Sequence, residues 1–138
     1  MMFAMGDNTR GSLTVSQVSG GRKNRLFIEI FGSKASAAWT GEAPDDLWIG
    51  HRNAPNEIQI KDPVLMRPEA RSYTDLPGGH SEGYPDTFKQ IFRRFYRRVM
   101  DAKAPVDYPT FADGIRQMRV LDAVLESSQK KVWVTVQD

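Results

Sequence analysis

The chain has no cysteine and only two histidines among its 138 residues. The first absence excludes disulfides and thiol chemistry, and the second leaves carboxylates as the main ligands of any zinc site. No apolar run approaches the ~20 residues that a membrane helix needs. The first ten residues, MMFAMGDNTR, lack the basic start and the long apolar stretch of a secretory signal. We therefore expect a cytoplasmic protein with no metal site and no membrane partner.

A strong excess of charge of either sign is also lacking, since the net charge at pH 7 is +2. Four arginines, Arg93, Arg94, Arg97 and Arg98, form a basic stripe on a predicted helix that phosphate groups could contact. So small an overall excess favours the alternative, a solvated helix face. We expect no nucleic-acid partner.

The glycines do not form a dinucleotide-binding loop. Such a loop has the pattern G-x-G-x-x-G between a strand and a helix, so that phosphates meet the N–H groups at the helix start. The pattern is absent, and Gly78, Gly79 and Gly83 follow a loop rather than an apolar strand. The chain itself is predicted to bind no cofactor.

What the sequence does contain is a run of apolar, β-branched and aromatic stretches, followed by two helices and a last strand. Strands are predicted at residues 1–5, 12–19, 26–31, 36–40, 47–51, 57–61 and 132–136. The first two are expected to form a hairpin, and the turn GGRKN at residues 20–24 is expected to join the second to the third.

Two helices are indicated by their start signals and their apolar faces. Pro85 and Asp86 suit the first turn of one helix, and Thr110 with Asp113 forms a variant capping box at the start of the other. The first apolar face comprises Phe88, Ile91, Phe92, Phe95 and Val99, and the second is expected to be a buried stripe of Phe111, Ile115, Met118, Leu121, Val124 and Leu125.

This order of elements predicts one α+β domain over residues 1–138, with an open, mostly antiparallel sheet and helices packed on one face. The other sheet face then needs a cover, because a large exposed apolar face is a partner surface. We expect it to be available for oligomerisation with a second copy of the chain.

Four residues are candidates for binding a small substrate: His80, Arg22, Asn24 and Tyr84. His80 and Tyr84 belong to the glycine-rich segment PGGHSEGY, and a loop histidine can donate to a hydroxyl or titrate near neutral pH. Arg22 and Asn24 lie in the GGRKN turn. The alternatives are a surface loop for the first pair and a solvated turn for the second.

Trp48 and His51 each have a structural interpretation. Trp48 is interpreted as a core or sheet-interface residue, with sugar stacking as the alternative, and His51 as structural. No catalytic residue is predicted.

Four blocks of the sequence resemble successive parts of one family. They are SQVSGGRKNRLFIEIFGSKASAAW, PDDLWIGHR, PGGHSEGYPDTFKQIFRRFY and YPTFADGIRQMRVLDAVLESSQKKVWVTV. In this order they resemble the C-terminal domain of the Gfo/Idh/MocA oxidoreductases, the superfamily of glucose–fructose oxidoreductase and inositol dehydrogenase. The resemblance covers nearly the whole chain.

The resemblance implies a two-domain enzyme. A Rossmann domain would bind NAD or NADP, and hydride would pass between the nicotinamide and a carbon of a sugar or polyol, with the lysine of a Glu-Lys-Pro motif as acid and base. The C-terminal domain would cover the substrate, with the His80 loop near the cleft, and would supply a sheet face for homo-oligomers.

The chain departs from this family pattern in lacking the Glu-Lys-Pro motif, the dinucleotide loop and the early C-domain helix that often carries an active-site histidine. We therefore expect an N-terminally truncated C-terminal domain that is inactive without its Rossmann domain. The alternative is a stand-alone binding or assembly module of the same fold.

Overall fold

The computed structural model describes residues 1–137, which divide into two compact units. The terminal unit combines residues 1–20 with the C-terminal stretch from residue 107, and the central unit is residues 21–106. The boundary falls inside the predicted GGRKN turn, between Gly20 and Gly21. Gly21 has a φ of +80°, which residues with a Cβ rarely adopt.

The terminal unit begins with a hairpin. Strands β1 (Met2–Met5) and β2 (Thr9–Ser12) pair antiparallel, with Phe3 opposite Gly11. The Phe3 ring lies over Gly11, where an added Cβ would come within 2.1 Å of a ring carbon. The missing side chain therefore makes room for the aromatic ring across the strand pair.

The terminal unit also contains the longest helix, α3 (Phe111–Lys130). Its predicted cap is confirmed: the Thr110 hydroxyl accepts from the Asp113 backbone N–H at 3.3 Å, and the Asp113 carboxylate accepts from the Thr110 backbone N–H at 2.8 Å. Two of the donors that a helix start leaves without partners are satisfied in this way.

The central unit is built on a four-stranded antiparallel sheet in the order β3-β4-β5-β6. Its strands are β3 (Phe27–Phe31), β4 (Ala35–Thr40), β5 (Asp46–His51) and β6 (Glu57–Ile60). Each strand pairs with the next one in the chain, so every connection is a short hairpin. The predicted α+β class with an open antiparallel sheet is confirmed.

The strand register assigns the side chains to two faces. The Trp48 face carries Phe27, Phe31, Ala38, Trp48, Ile58 and Ile60, and the Trp39 face carries Ile28, Ile30, Ala37, Trp39, Leu47 and Ile49. On the Trp48 face Phe31, Ile58 and Ile60 are each more than 60% exposed. The sheet is therefore apolar on both faces.

Two helices complete the central unit. One-turn helix α1 (Pro68–Arg71) lies in the segment that connects β6 to the next helix. Helix α2 (Tyr84–Met100) has Gly83 as its N-cap, and the Asp86 carboxylate accepts from the Gly83 backbone N–H at 2.8 Å.

The polar side of α2 is attached to the loops around it. Arg94 is almost fully buried and donates to the Ser72 carbonyl at 2.9 Å, while its guanidinium lies 4.1 Å from the centre of the Tyr73 ring. Gln90 donates to the Tyr73 carbonyl at 3.0 Å, and Arg98 to the Ala104 carbonyl at 2.9 Å. Part of the predicted solvated arginine stripe is thus engaged in holding loops.

Two predicted strands are wrong. Strand β2 ends at Ser12, where a strand over residues 12–19 was expected to begin, and residues 132–136 form no strand. The GGRKN turn therefore does not join two strands. Both stretches have β-forming residues, but a strand requires a hydrogen-bonded neighbour. Pairing with the β1 side of the hairpin ends at Leu13, whose N–H donates to the Met1 carbonyl at 2.9 Å, and in the described residues no strand pairs with residues 14–19 or 132–136.

The predicted buried stripe of α3 is also wrong, because five of its six residues are exposed and Phe111 is 96% exposed. The exposed surface totals 11832 Å². Two separate compact bodies of these sizes would expose roughly 8,700 Å². Much apolar surface of the described residues therefore lacks a cover. None of the described helices combines the length and apolarity that crossing a membrane requires.

Gly50→Ala is expected to destabilise the sheet, because the Trp48 ring lies against Gly50 and an added Cβ would come within 2.3 Å of the ring carbon Cη2. Overpacking of this kind costs about 1–3 kcal/mol of unfolding free energy, measurable by urea denaturation. The control is Gly114→Ala in α3, where an added Cβ meets no atom within 4 Å. It should gain up to ~1 kcal/mol in helix propensity. Equal stability of Gly50→Ala and wild type would contradict the contact.

Candidate functional site

The four predicted binding residues lie in the central unit, in two groups. His80 and Tyr84 are on the segment that leads into α2, and Arg22 and Asn24 precede β3. Within residues 1–137, no hydrogen bond or ion pair joins one group to the other. Both groups are nevertheless attached to the loop between β4 and β5, Arg22 through Glu42 and the His80 segment through the Ser81 contact to Asp45, so they lie at the same end of the sheet.

Arg22 and Asn24 have local structural roles. Arg22 Nη1 donates to Glu42 Oε2 at 3.0 Å, and Arg25 Nε lies 3.4 Å from the same oxygen. Asn24 has a φ of 52°, the left-handed conformation that asparagine tolerates in turns. These contacts fix the chain where it enters β3, next to the loop that follows β4.

His80 lies on a loop that is held by a group of charged and polar side chains, the Lys61 cluster, consisting of Lys61, Glu82, Asp45 and Ser81. Lys61 Nζ donates to Glu82 Oε2 at 2.8 Å and to the His80 carbonyl at 2.6 Å. Ser81 Oγ donates to the Asp45 carboxylate. Only about a tenth of the Lys61 and Glu82 side chains is exposed.

The Lys61 cluster joins three parts of the central unit. Lys61 follows β6, Asp45 precedes β5, and Ser81 and Glu82 precede α2. The backbone adds to this, since the Lys61 N–H donates to the Asp45 carbonyl at 2.7 Å and Glu82 Oε1 accepts from the Asp75 N–H at 2.9 Å. The His80 loop is therefore anchored to one end of the sheet.

Two carboxylates near this loop, those of Glu82 and Asp75, have lowered pKa values. Desolvation raises the pKa of Glu82, but the hydrogen bonds from Lys61 and from the Asp75 and Leu76 backbone outweigh it, so that the pKa lies below its usual range. Hydrogen bonds from Arg93 and Lys89 hold the pKa of Asp75 far below its usual range. The Asp75 carboxylate accepts hydrogen bonds from Arg93 Nη1 and Nη2, at 2.8 and 2.9 Å.

Two side chains of this anchored segment, those of His80 and Tyr84, are exposed. The imidazole of His80 is exposed, and its Nδ1 has only a long 3.4 Å contact to the Gly78 carbonyl. Tyr84 is exposed, and its ring packs edge-on against Phe88 with centroids 5.0 Å apart. A fixed backbone with an exposed imidazole and phenol can hydrogen bond to the hydroxyl groups of a ligand. In the described residues, no group of three histidine or acidic side chains is arranged to hold a metal ion.

Lys61, Glu82 and Asp45 were not among the binding residues predicted from the sequence. Strict alternation in EIQIK does place Lys61 opposite to Ile58 and Ile60, on the face away from Trp48. Its partner Glu82 lies 21 positions later, however, beyond an irregular segment, and no local spacing rule connects the two.

Lys61→Met is expected to lower the free energy of unfolding by about 3 kcal/mol, because it leaves the buried Glu82 carboxylate without its charged partner. The double variant Lys61→Met/Glu82→Gln should recover part of the loss, since the uncompensated charge is then gone. Urea denaturation at neutral pH measures both. The control is Lys130→Met, which removes an exposed pair with Glu126 on α3 and should cost less than about 0.5 kcal/mol.

The stabilities of wild type and Lys61→Met can also be compared in acid. Because the pKa of Glu82 is lower in the folded than in the unfolded chain, the pair stabilises the fold above the ordinary glutamate value of about 4.3. This stabilisation is lost as the pH falls through the folded value. The difference between wild type and Lys61→Met should therefore shrink as the pH falls below about 4.3, and a constant difference would show that the charge of Glu82 is not involved.

Comparison with known proteins gives a family. The family described as "Oxidoreductase family, C-terminal alpha/beta domain", GFO_IDH_MocA_C, matches residues 6–136. An oxidoreductase from Sinorhizobium meliloti is 32% identical, with a TM-score of 0.85 over 98% of this chain and 39% of its own. A levoglucosan dehydrogenase from Pseudarthrobacter phenanthrenivorans is 25% identical over 98% of this chain and 35% of its own length.

A third protein shares the fold. The inositol dehydrogenase homolog from Azotobacter vinelandii, in complex with NADH and myo-inositol, has a TM-score of 0.75 and 24% identity over 86% of this chain and 34% of its own. The chain spans about a third of the length of the curated relatives it matches. Because the family match covers nearly all of the chain and the fold is shared, the chain belongs to the Gfo/Idh/MocA oxidoreductases, as their C-terminal alpha/beta domain.

Proposed function

We propose that this chain is the substrate-covering and oligomerisation domain of an NAD- or NADP-dependent oxidoreductase that acts on a sugar or polyol. The observation that carries the proposal is the family match over residues 6–136. It is joined by the exposed His80 and Tyr84, which flank a segment that the Lys61–Glu82 ion pair anchors to the sheet. Levoglucosan dehydrogenase, named for a sugar derivative, supports the substrate class.

The residues of this chain do not fit a nicotinamide cofactor. A dinucleotide phosphate binds at a free helix N-terminus after a glycine-rich turn. Here the Asp86 carboxylate accepts the Gly83 N–H at the start of α2, so a negative charge already occupies that position. In the proposed enzyme the cofactor and the catalytic lysine therefore belong to a Rossmann domain outside these residues.

His80 has a binding role in this proposal. Its loop backbone is fixed through the Lys61 contact to its carbonyl, so the backbone position from which the imidazole extends is set before the substrate arrives. A positioned donor to a substrate hydroxyl contributes about 1 kcal/mol of binding free energy. Tyr84, the first residue of α2, offers a second hydroxyl contact in this proposal.

In the full-length gene product, His80→Gln should raise KM for a sugar or polyol by about fivefold to tenfold, with a smaller change in kcat, because a ground-state contact is lost. His51→Gln, at the other end of β5, is the matched control and should leave KM unchanged. The assay follows NADH or NADPH with a panel of sugars and polyols. This chain alone should give no turnover, and hydride transfer by the purified chain would overturn the proposal.

The Trp48 face is proposed as the surface for a second copy of the chain. At the end of the sheet near the Lys61 cluster, Phe27 and Ile60 lie in one row across the strands, and Ile58 lies in the next. All three are exposed. Burying such side chains contributes about 1.5–3 kcal/mol each, which is enough to drive association.

Ile60→Glu should therefore weaken self-association by tenfold or more, since a charge would be buried in an apolar interface. Val64→Glu is the control, because Val64 is exposed but lies outside the sheet. Sedimentation equilibrium should show dimers of the wild type well below about 1 mM. A strictly monomeric wild type would remove this part of the proposal and leave the substrate role untouched.

A further inference from the structure

The loop between β4 and β5, residues 41–45, is hydrogen-bonded at both ends and is short. The Gly41 N–H donates to the Leu26 carbonyl at 2.8 Å, which ties the start of the loop to the residue before β3. Near its other end, the Pro44 carbonyl accepts from the indole Nε1 of Trp39 at 3.0 Å. Trp39 is a half-buried residue of β4. The sheet itself therefore holds this loop in place.

This loop carries the contacts of both groups of predicted binding residues. Glu42 Oε2 accepts from Arg22 Nη1 at 3.0 Å. The Asp45 carboxylate accepts from the hydroxyl of Ser81, the residue that follows His80. Three residues of chain span at most about 11 Å, so the two contacts are made to closely spaced points of one loop.

The acceptor for Ser81 is itself fixed. The Asp45 carbonyl accepts from the Lys61 backbone N–H at 2.7 Å, and Asp45 Oδ1 lies 3.9 Å from Lys61 Nζ. Only 22% of the Asp45 side chain is exposed. Because backbone and side chain are both held, the carboxylate offers Ser81 an acceptor at a set position.

Arg22 and His80 each retain a donor for a ligand. Arg22 uses Nη1 for Glu42, and its side chain is 56% exposed. The His80 imidazole is exposed as well. Across residues 1–137, no partner is seen for Arg22 Nη2 or for His80 Nε2. Both groups can therefore donate to hydroxyl or carbonyl oxygens of a bound molecule.

We propose that Arg22 and His80 contact the same ligand, and that Asp45 is the positioning residue that sets their separation. The inference rests on the proposed function, since the ligand is the substrate of the full-length enzyme. Asp45 itself does not contact the substrate. It holds Ser81, and with it the backbone of the neighbouring His80, at a fixed place relative to Arg22. Donors that are held in this way before binding need little reorganisation when the substrate arrives.

The test is steady-state kinetics of the full-length gene product with the sugar or polyol that it oxidises. Asp45→Ala should raise KM by about fivefold to tenfold and change kcat by less than about twofold, because a ground-state contact is misplaced. Asp45→Asn keeps an oxygen that can accept from Ser81 and should restore most of the wild-type KM. The matched control is Asp46→Ala, which removes the adjacent, exposed carboxylate and should leave KM unchanged.

A double variant separates positioning from a loss of stability. In the His80→Gln background, Asp45→Ala should raise KM by less than about twofold, because its effect passes through His80. A purely structural defect would instead lower the fraction of active enzyme, and so the apparent kcat, equally in both backgrounds. Arg22→Gln should raise KM for the same substrate by about fivefold, whereas Lys23→Gln in the same turn should not.

An unchanged KM in any of Asp45→Ala, Arg22→Gln or His80→Gln overturns the inference, and so do effects of Asp45→Ala and His80→Gln that multiply fully. If His80→Gln alone raises KM, the proposed function stands and only the inference fails. A full-length protein that turns over no sugar or polyol removes the proposed function and this inference with it.

Discussion

The central unit depends on one ion pair, between Lys61 at the end of β6 and Glu82 just before α2. It is almost completely buried, and the same ammonium donates to the His80 carbonyl. A buried pair is costly to desolvate and is retained only with good geometry and additional hydrogen bonds, which Asp75 supplies to Glu82 here. The pair fixes where the loop before α2 meets the sheet, and so where the exposed His80 and Tyr84 are held.

A second constraint is that much of the apolar surface of the described residues is exposed. Both faces of the four-stranded sheet are apolar, and the apolar stripe of α3 is exposed along most of its length. The hydrophobic effect acts on all this surface and favours further contacts. A domain that works against a cofactor domain and against a second copy of itself would have this property. The polar side of α2, in contrast, is engaged within the chain. Arg93, Arg94 and Arg98 donate to Asp75, to Ser72 and to the loop at residues 102–104.

Structural features that depend on residues close together in the sequence were predicted correctly. The alternation and β-branching of FIEIF and EIQI predict β3 and β6, and the Thr110–Asp113 capping box predicts the start of α3. The same rules were wrong for residues 12–19 and 132–136. Both stretches have the composition of strands, but a strand exists only through hydrogen bonds to another strand, and composition does not say whether that partner is present.

By itself, the amino-acid sequence determined the α+β class, most element positions, the family resemblance and the loop position of His80, because caps, alternation and glycine-rich turns depend on residues within a few positions of each other. Only the tertiary structure decided that Lys61 meets Glu82, that Arg22 pairs with Glu42, and that Ser81 donates to Asp45. Each of these depends on how strands pair and loops fold back, which brings together residues that no local pattern relates.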